Sequence, residues 1–216
     1  MLYDFIKSAM GPVLRAAVRL EVHGQENVPA NGPVLLASNH LSIVDSTFLP
    51  LAMSRPVTFM AKAEYFTGRH PLYRFTSWFM SSSGQVPVDR NNQRAAVAAL
   101  EPCLRVLESG GVFCIYPEGT RSLDGRLYRG RTGAAWLALN SGAAVVPVAM
   151  VGTGKVLPPG RTVPRPAKVK VIFGKPVDLS VHGTDPSNAR ARRAATDTVT
   201  AAIAAISGQE YVPRYA

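Results

Sequence analysis

His40 and Asp45 are the residues of this chain whose types and spacing most directly suggest chemistry. Imidazole titrates near neutrality and is the usual general base, and a nearby carboxylate can hold the ring in one tautomer and stabilise the imidazolium. Five residues of ideal helix turn through about 500°, so two side chains at that spacing point about 140° apart. They can meet only if His40 lies in the turn before a helix and Asp45 in its first turns. Asn39 and Ser42 offer polar groups to tie that turn down. No serine or cysteine is obviously paired with them as nucleophile, which points to a nucleophile supplied by the substrate. The residues alone also admit a plainer reading, a surface-loop histidine and a solvated helix aspartate.

Three further constellations could assist. Tyr116-Pro117-Glu118-Gly119-Thr120-Arg121-Ser122 ends an apolar run in a carboxylate, a glycine, two hydroxyls and a guanidinium. Glycine lets backbone approach a ligand, and arginine grips phosphate in bidentate fashion. Gly84-Gln85-Val86-Pro87-Val88-Asp89-Arg90 ends small apolar residues in an acid and a base. Lys62 follows the apolar run Val57–Ala61 and could reach phosphate from a strand end. Each has an ordinary alternative: a strand-to-loop turn, a surface ion pair, an exposed lysine. Val145-Val146-Pro147-Val148-Ala149, taken alone, means only a buried strand with a proline kink.

The elements that must position these residues alternate between strand and helix. Strands are expected at Arg19–Val22, Val34–Ala37, Val57–Ala61, Gln85–Val88, Val112–Tyr116, Ala144–Val151 and Lys168–Phe173. Helices are expected at residues 2–20, Ser42–Met53, Pro71–Met80, Gln93–Glu108, Thr132–Asn140 and Pro186–Ile206. Gly119–Gly130 reads as a basic loop and Val156–Pro166 as a proline-rich one. The pattern is α/β: a mostly parallel mixed sheet flanked by helices. In such sheets chemistry gathers at the carboxyl ends of strands, where His40, Arg90 and Glu118–Arg121 fall. The organisation expected is an amphipathic helix over residues 1–20, one α/β domain over 21–208 and a frayed tail over 209–216. The first helix has a wide apolar face and a basic stripe. That suits a membrane interface, or packing on the domain.

Composition narrows the classes. The 216 residues are 47% hydrophobic and 18% charged, with a formal charge of +10. Residues 1–108 carry 10 Lys/Arg against 8 Asp/Glu, and residues 109–216 carry 14 against 6. From Gly119 to Lys175, ten basic residues face Asp124 alone. Such a field attracts phosphate-bearing partners. Nucleic acid is disfavoured, because the basic stretch lacks interleaved aromatics and no binding motif is present. Cys103 and Cys114 read as buried free thiols. No apolar run reaches the roughly 20 residues of a spanning helix, and no cleavable signal is evident.

The blocks Asn39-His40-x4-Asp45, Gly84 to Arg90, Glu118-Gly119-Thr120-Arg121 and Val146-Pro147-Val148 occur in one order. In that order and spacing they resemble the four blocks of the glycerolipid acyltransferase family, in particular the 1-acylglycerol-3-phosphate acyltransferases. One block is a weak signal, and four in register are a strong one. The resemblance implies transfer of a fatty acyl group from acyl-CoA or acyl carrier protein to the free sn-2 hydroxyl of lysophosphatidic acid, giving phosphatidic acid. It implies that His40 removes the hydroxyl proton and Asp45 positions His40. Arg90, Glu118, Gly119, Thr120 and Arg121 match the acceptor blocks, with Lys62 a further phosphate contact and Val146–Val148 structural or on the acyl path. It implies no metal and no cofactor. The setting it implies is an anionic membrane surface, with peripheral attachment at the cytoplasmic face of the cell membrane. Tyr116 stands where phenylalanine is common, a departure expected to matter little. Other outcomes within reach are a different lyso-lipid acceptor and a non-catalytic lipid-binding protein.

Overall fold

A computed structural model describes residues 2–62, 85–88 and 100–216. The strands among them are β1 (Glu21–His23), β2 (Val34–Ser38), β3 (Val57–Lys62), β4 (Val86–Val88), β5 (Val112–Ile115), β6 (Leu127–Tyr128), β7 (Ala144–Val151), β8 (Lys170–Phe173) and β9 (Tyr211–Val212). The helices are α1 (Leu2–Ala17), α2 (Asp45–Leu51), α3 (Glu101–Glu108), α4 (Gly133–Ser141), the single-turn α5 (Thr153–Val156) and α6 (Ala189–Ser207). Seven strands form one sheet in the order β1-β8-β7-β2-β5-β3-β4. The expected aromatic helix at 71–80, Arg90 and the first half of the expected helix at 93–108 lie outside the described residues.

The uninterrupted apolar run at Val34–Ala37 is explained by its central place. β2 pairs in parallel with β5 on one side and β7 on the other, and both of its faces are covered. Leu35 and Ala37 join Phe113, Ile115 and Val145 beneath α3, α4 and α6. Val34 and Leu36 join Val112, Cys114, Val146 and Phe48 on the opposite face with α2. Truncating Leu36, fully buried there, to alanine would cost about 2–5 kcal/mol. The same alternation sends Asn39 toward the α6 side and His40 and Tyr116 toward the α2 side.

The sheet is mixed, as expected, because β7 and β8 pair antiparallel. A parallel return needs a crossover, usually a helix. The connection between them has one helical turn followed by Pro158, Pro159, Pro164 and Pro166. It stays at one sheet edge, so the chain re-enters in the opposite direction. At the start of that connection Gly152 adopts φ 90°, and a Cβ there would fall 2.1 Å from the Lys168 carbonyl oxygen.

Two expectations need correction. Residues 209–216 do not fray: β9 pairs in parallel with β6, and Leu127 and Arg129 donate their N–H groups to the carbonyls of Glu210 and Arg214. The helix expected over Ser42–Met53 begins only at Asp45, because the Leu41 and Ser42 N–H groups bond the Asp45 carboxylate instead of entering a helical ladder. The second half of α1 rests on α2. Val18 is buried, and Arg15 Nη2 donates to the Leu51 carbonyl at 2.5 Å, satisfying a helix-end acceptor. Among the described residues, no helix is long and apolar enough to cross a membrane.

Candidate active site

The carboxyl ends of β2 and β5 are adjacent, and their register pairs Leu36 with Cys114 and Ala37 with Ile115. Continuing both chains upward brings His40 and Glu118 together at the carboxyl end of the sheet. His40 lies in the turn before α2, and its Nδ1 is 2.8 Å from Asp45 Oδ2. The same oxygen accepts the N–H of Leu41 at 2.7 Å and of Ser42 at 2.9 Å. An oxygen already accepting two backbone donors serves the ring as acceptor too, so Nδ1 carries the proton and Nε2 the lone pair. Nε2 has no hydrogen-bond partner among the described residues, and the side chain keeps 15% of its surface exposed. Asp45 is itself fully buried, with Oδ1 unpartnered.

The backbone of His40 is gripped at both ends by the later block. Its N–H donates to Glu118 Oε1 at 3.3 Å, and its carbonyl accepts the Ser122 N–H at 2.8 Å. The resemblance sets Glu118 among the acceptor contacts, but its carboxylate turns inward. Only 2% of the residue is exposed, and Oε2 accepts the Tyr128 N–H at 2.9 Å. Burial raises its pKa to about 7, against the two backbone donors that lower it. Glu118 thus joins the histidine turn to the basic loop.

Tyr116 matters more than its apolar surroundings suggest. Its ring stacks on the imidazole, with centroids 3.8 Å apart and planes 9° apart, and its hydroxyl is 2.9 Å from Ser46 Oγ. Burial holds its phenol well above the ordinary pKa, so the ring beside His40 is neutral and presents its π face to the imidazole. Phenylalanine could stack but could not reach Ser46, which follows Asp45 in α2.

Gly119 takes φ 76°, and a Cβ there would lie 3.0 Å from Cδ and Nε of Arg131, which packs across it. Thr120 and Arg121 are exposed, and the Arg121 guanidinium has no partner among the described residues. Lys62 closes β3 opposite Val88 of β4. Both strands run parallel to β5 and β2, so they end at the His40 end of the sheet. Arg90 follows β4 outside the described residues. No group of three His, Cys, Asp or Glu among the described residues is arranged to hold a metal.

Asn39 does not tie down its own turn. Its side chain behaves as an extra peptide group: Oδ1 accepts the Met150 N–H at 2.7 Å and Nδ2 donates to the Met150 carbonyl at 3.0 Å. Nδ2 also lies 2.7 Å from Gln209 Oε1, and Gln209 Nε2 donates to the Gly125 carbonyl at 2.7 Å. The tail therefore braces both the histidine strand and the basic loop. Ser42, as expected, does fasten the turn, through Oγ to the Leu157 carbonyl at 2.9 Å. Gln209 had no local signal; only the folded chain brings it there.

A mixed α/β sheet with a buried carboxylate–imidazole pair at its carboxyl end and a glycine–threonine–arginine loop alongside defines a class of protein. The family model described as Acyltransferase matches residues 19–151, and the chain belongs to that family. It is 35% identical over 161 residues to the chloroplastic 1-acyl-sn-glycerol-3-phosphate acyltransferase LPAT1 of Arabidopsis thaliana, covering 74% of this chain and 44% of that protein. It is 28% identical to 1-acyl-sn-glycerol-3-phosphate acyltransferase of Bacillus subtilis, covering 88% and 89% respectively. The chain spans less than half the length of the plant relative. The crystal structure of the 1-acyl-sn-glycerophosphate acyltransferase PlsC from Thermotoga maritima superposes with a TM-score of 0.70 at 25% identity, covering 94% of this chain and 79% of that one.

Proposed function

We propose that the protein acylates the free sn-2 hydroxyl of 1-acylglycerol-3-phosphate, yielding phosphatidic acid. The observation that carries this reading is the imidazole with Nδ1 bound to Asp45 and Nε2 without a partner among the described residues. The substrate hydroxyl gives its proton to His40 Nε2 as its oxygen attacks the thioester carbonyl of acyl-CoA or acyl carrier protein. Asp45 and the Tyr116 ring stabilise the imidazolium that results. The tetrahedral intermediate collapses, the carbon–sulfur bond breaks, and the thiolate takes the proton from Nε2. A protein nucleophile is not needed. Ser46 Oγ is committed to Tyr116, and Cys114 is buried with its thiol pushed well above the ordinary pKa.

Arg121, without a partner among the described residues, is suited to the acceptor phosphate; Lys62, at the end of β3, and Arg90, outside the described residues, are the further phosphate contacts we assign. Gly119 and Thr120 supply close backbone and a hydroxyl. Glu118 acts through His40 and not on substrate. The names of the relatives support this acceptor, and an amphiphilic substrate is met at an anionic membrane surface; we place the protein at its cytoplasmic face, with α1 as a peripheral anchor. The test is product analysis of the purified full chain given acyl-CoA and a panel of lyso-lipids. Phosphatidic acid should form fastest, and His40→Ala should abolish it. Faster turnover of another lyso-lipid would replace the acceptor, and unchanged turnover in the variant would remove the mechanism.

A further inference from the structure

Ile43, Leu123 and Val163 are large apolar residues exposed by 58%, 70% and 74%. Singly, such residues are ordinary. These three share an anchorage. Ile43 follows Ser42, which holds both Asp45 and Leu157. Leu123 follows Ser122, whose N–H holds the His40 carbonyl. Val163 projects from a loop, residues 157–166, whose base is pinned to the same turn by the Ser42–Leu157 bond.

That loop is built to keep its shape. The Arg165 N–H donates to the Val156 carbonyl at 2.9 Å and Arg165 Nε to the Lys155 carbonyl at 2.8 Å, closing the base. The Arg161 N–H donates to the Pro158 carbonyl at 3.1 Å, turning the tip, and four prolines restrict the rest. Yet Pro159 to Pro166 are all exposed. Beyond the buried Leu157 this stiff loop covers no core, so its order serves something outside the fold. Its chemistry says what. No acid occurs between Asp124 and Asp178, and Lys155, Arg161 and Arg165 lie within eight residues of Val163 along the chain. The Arg161 guanidinium has no partner among the described residues. Cations set around an apolar tip match a surface with anionic heads over hydrocarbon.

We propose that the 157–166 loop, with Leu123 and Ile43, is a bilayer contact that seats the mouth of the site on an anionic lipid surface. This contact is separate from α1, and it lets an acceptor embedded in the membrane reach His40 without crossing water. It rests on the acyltransferase reading only in that the acceptor is a membrane amphiphile.

The experiment is flotation of the full chain with neutral phosphatidylcholine vesicles and with vesicles containing phosphatidylglycerol. It is paired with turnover of a dispersed short-chain lysophosphatidate by acyl-CoA. Arg161→Gln should lower partition to anionic vesicles about fivefold and leave neutral vesicles unchanged. Leu123→Ser with Val163→Ser should lower partition to both about tenfold. Turnover of the dispersed acceptor should stay as in the native chain for every variant, which also reports folding. Unchanged flotation of the variants overturns the proposal. So does unchanged flotation accompanied by a raised KM for a carrier-protein acyl donor, which would assign the loop to an acidic protein. If the native chain turns over no dispersed acceptor, the acyltransferase reading fails, and flotation still decides the lipid contact.

Discussion

The two halves of the candidate site are built on opposite principles. Around His40, nearly everything is committed: the ring nitrogen to Asp45, the ring face to Tyr116, the backbone N–H to Glu118 and the carbonyl to Ser122. One residue before Ser122, Arg121 is exposed and has no partner among the described residues. The contrast fits the roles proposed for each. A base must present one nitrogen at one angle before substrate arrives, and misplacement by about an ångström is expensive in rate. A phosphate-gripping guanidinium loses little by staying in water until its anion comes, whereas burying it empty would leave a charge unpaired.

If that contrast holds, damage to the committed half should strike kcat and damage to the uncommitted half should strike KM. The largest effect is expected from His40→Ala and Asp45→Asn, each lowering kcat about 10³-fold or more with native-like thermal unfolding for the first. A kcat within tenfold of native in either would break the comparison.

Glu118→Gln should act next, through pH. A carboxyl raised from 4.5 to about 7 binds its proton more tightly in the folded state. Its contribution to stability is therefore present below pH 4.5 and lost as pH rises through 7, by at most about 3 kcal/mol. Urea titrations at pH 5 and pH 8 should show that loss in the native chain and its absence in the variant. An identical pH slope in both would mean that the carboxylate is not held as described.

Arg121→Ala should raise KM for the acceptor about 10- to 100-fold, the worth of a charge-assisted contact, while kcat changes far less. A kcat loss as large as its KM rise would place Arg121 in the committed half. The smallest effects sharpen the picture. Tyr116→Leu removes the stack and should lower kcat about tenfold, whereas Tyr116→Phe keeps it and should lose about threefold. Equal losses would assign the role to the Ser46 bond alone.

The geometry of the candidate pair is local, but the residues alone leave a surface histidine and a solvated aspartate equally open; the order of the four blocks is what favours the pair. An apolar run stops at His40, and five residues later the first turn of a helix offers Asp45. Helix geometry alone required the histidine to precede the helix. The alternation of strands and helices was legible because amphipathic periods and turn residues act over a few positions. The stack of Tyr116 on His40 has no local signal, because it depends on which face of β5 meets which face of β2. That is a matter of register between segments 78 residues apart. The tail was misjudged because two-residue strands have no periodicity to detect, and their pairing is decided by a partner elsewhere.

The sequence by itself therefore determined the α/β class, the alternating elements and the basic stretch, all properties of neighbours along the chain, and it pointed to the His40–Asp45 pair through the order of its four blocks. Only the tertiary structure decided that Glu118 faces inward and that Tyr116 lies on the imidazole. It alone brought Gln209 to join Asn39 to Gly125, and it alone decided that β8 runs against β7. Each of these is a contact between distant segments, chosen by strand register and by the requirement that buried polar groups find partners, and no local pattern encodes either.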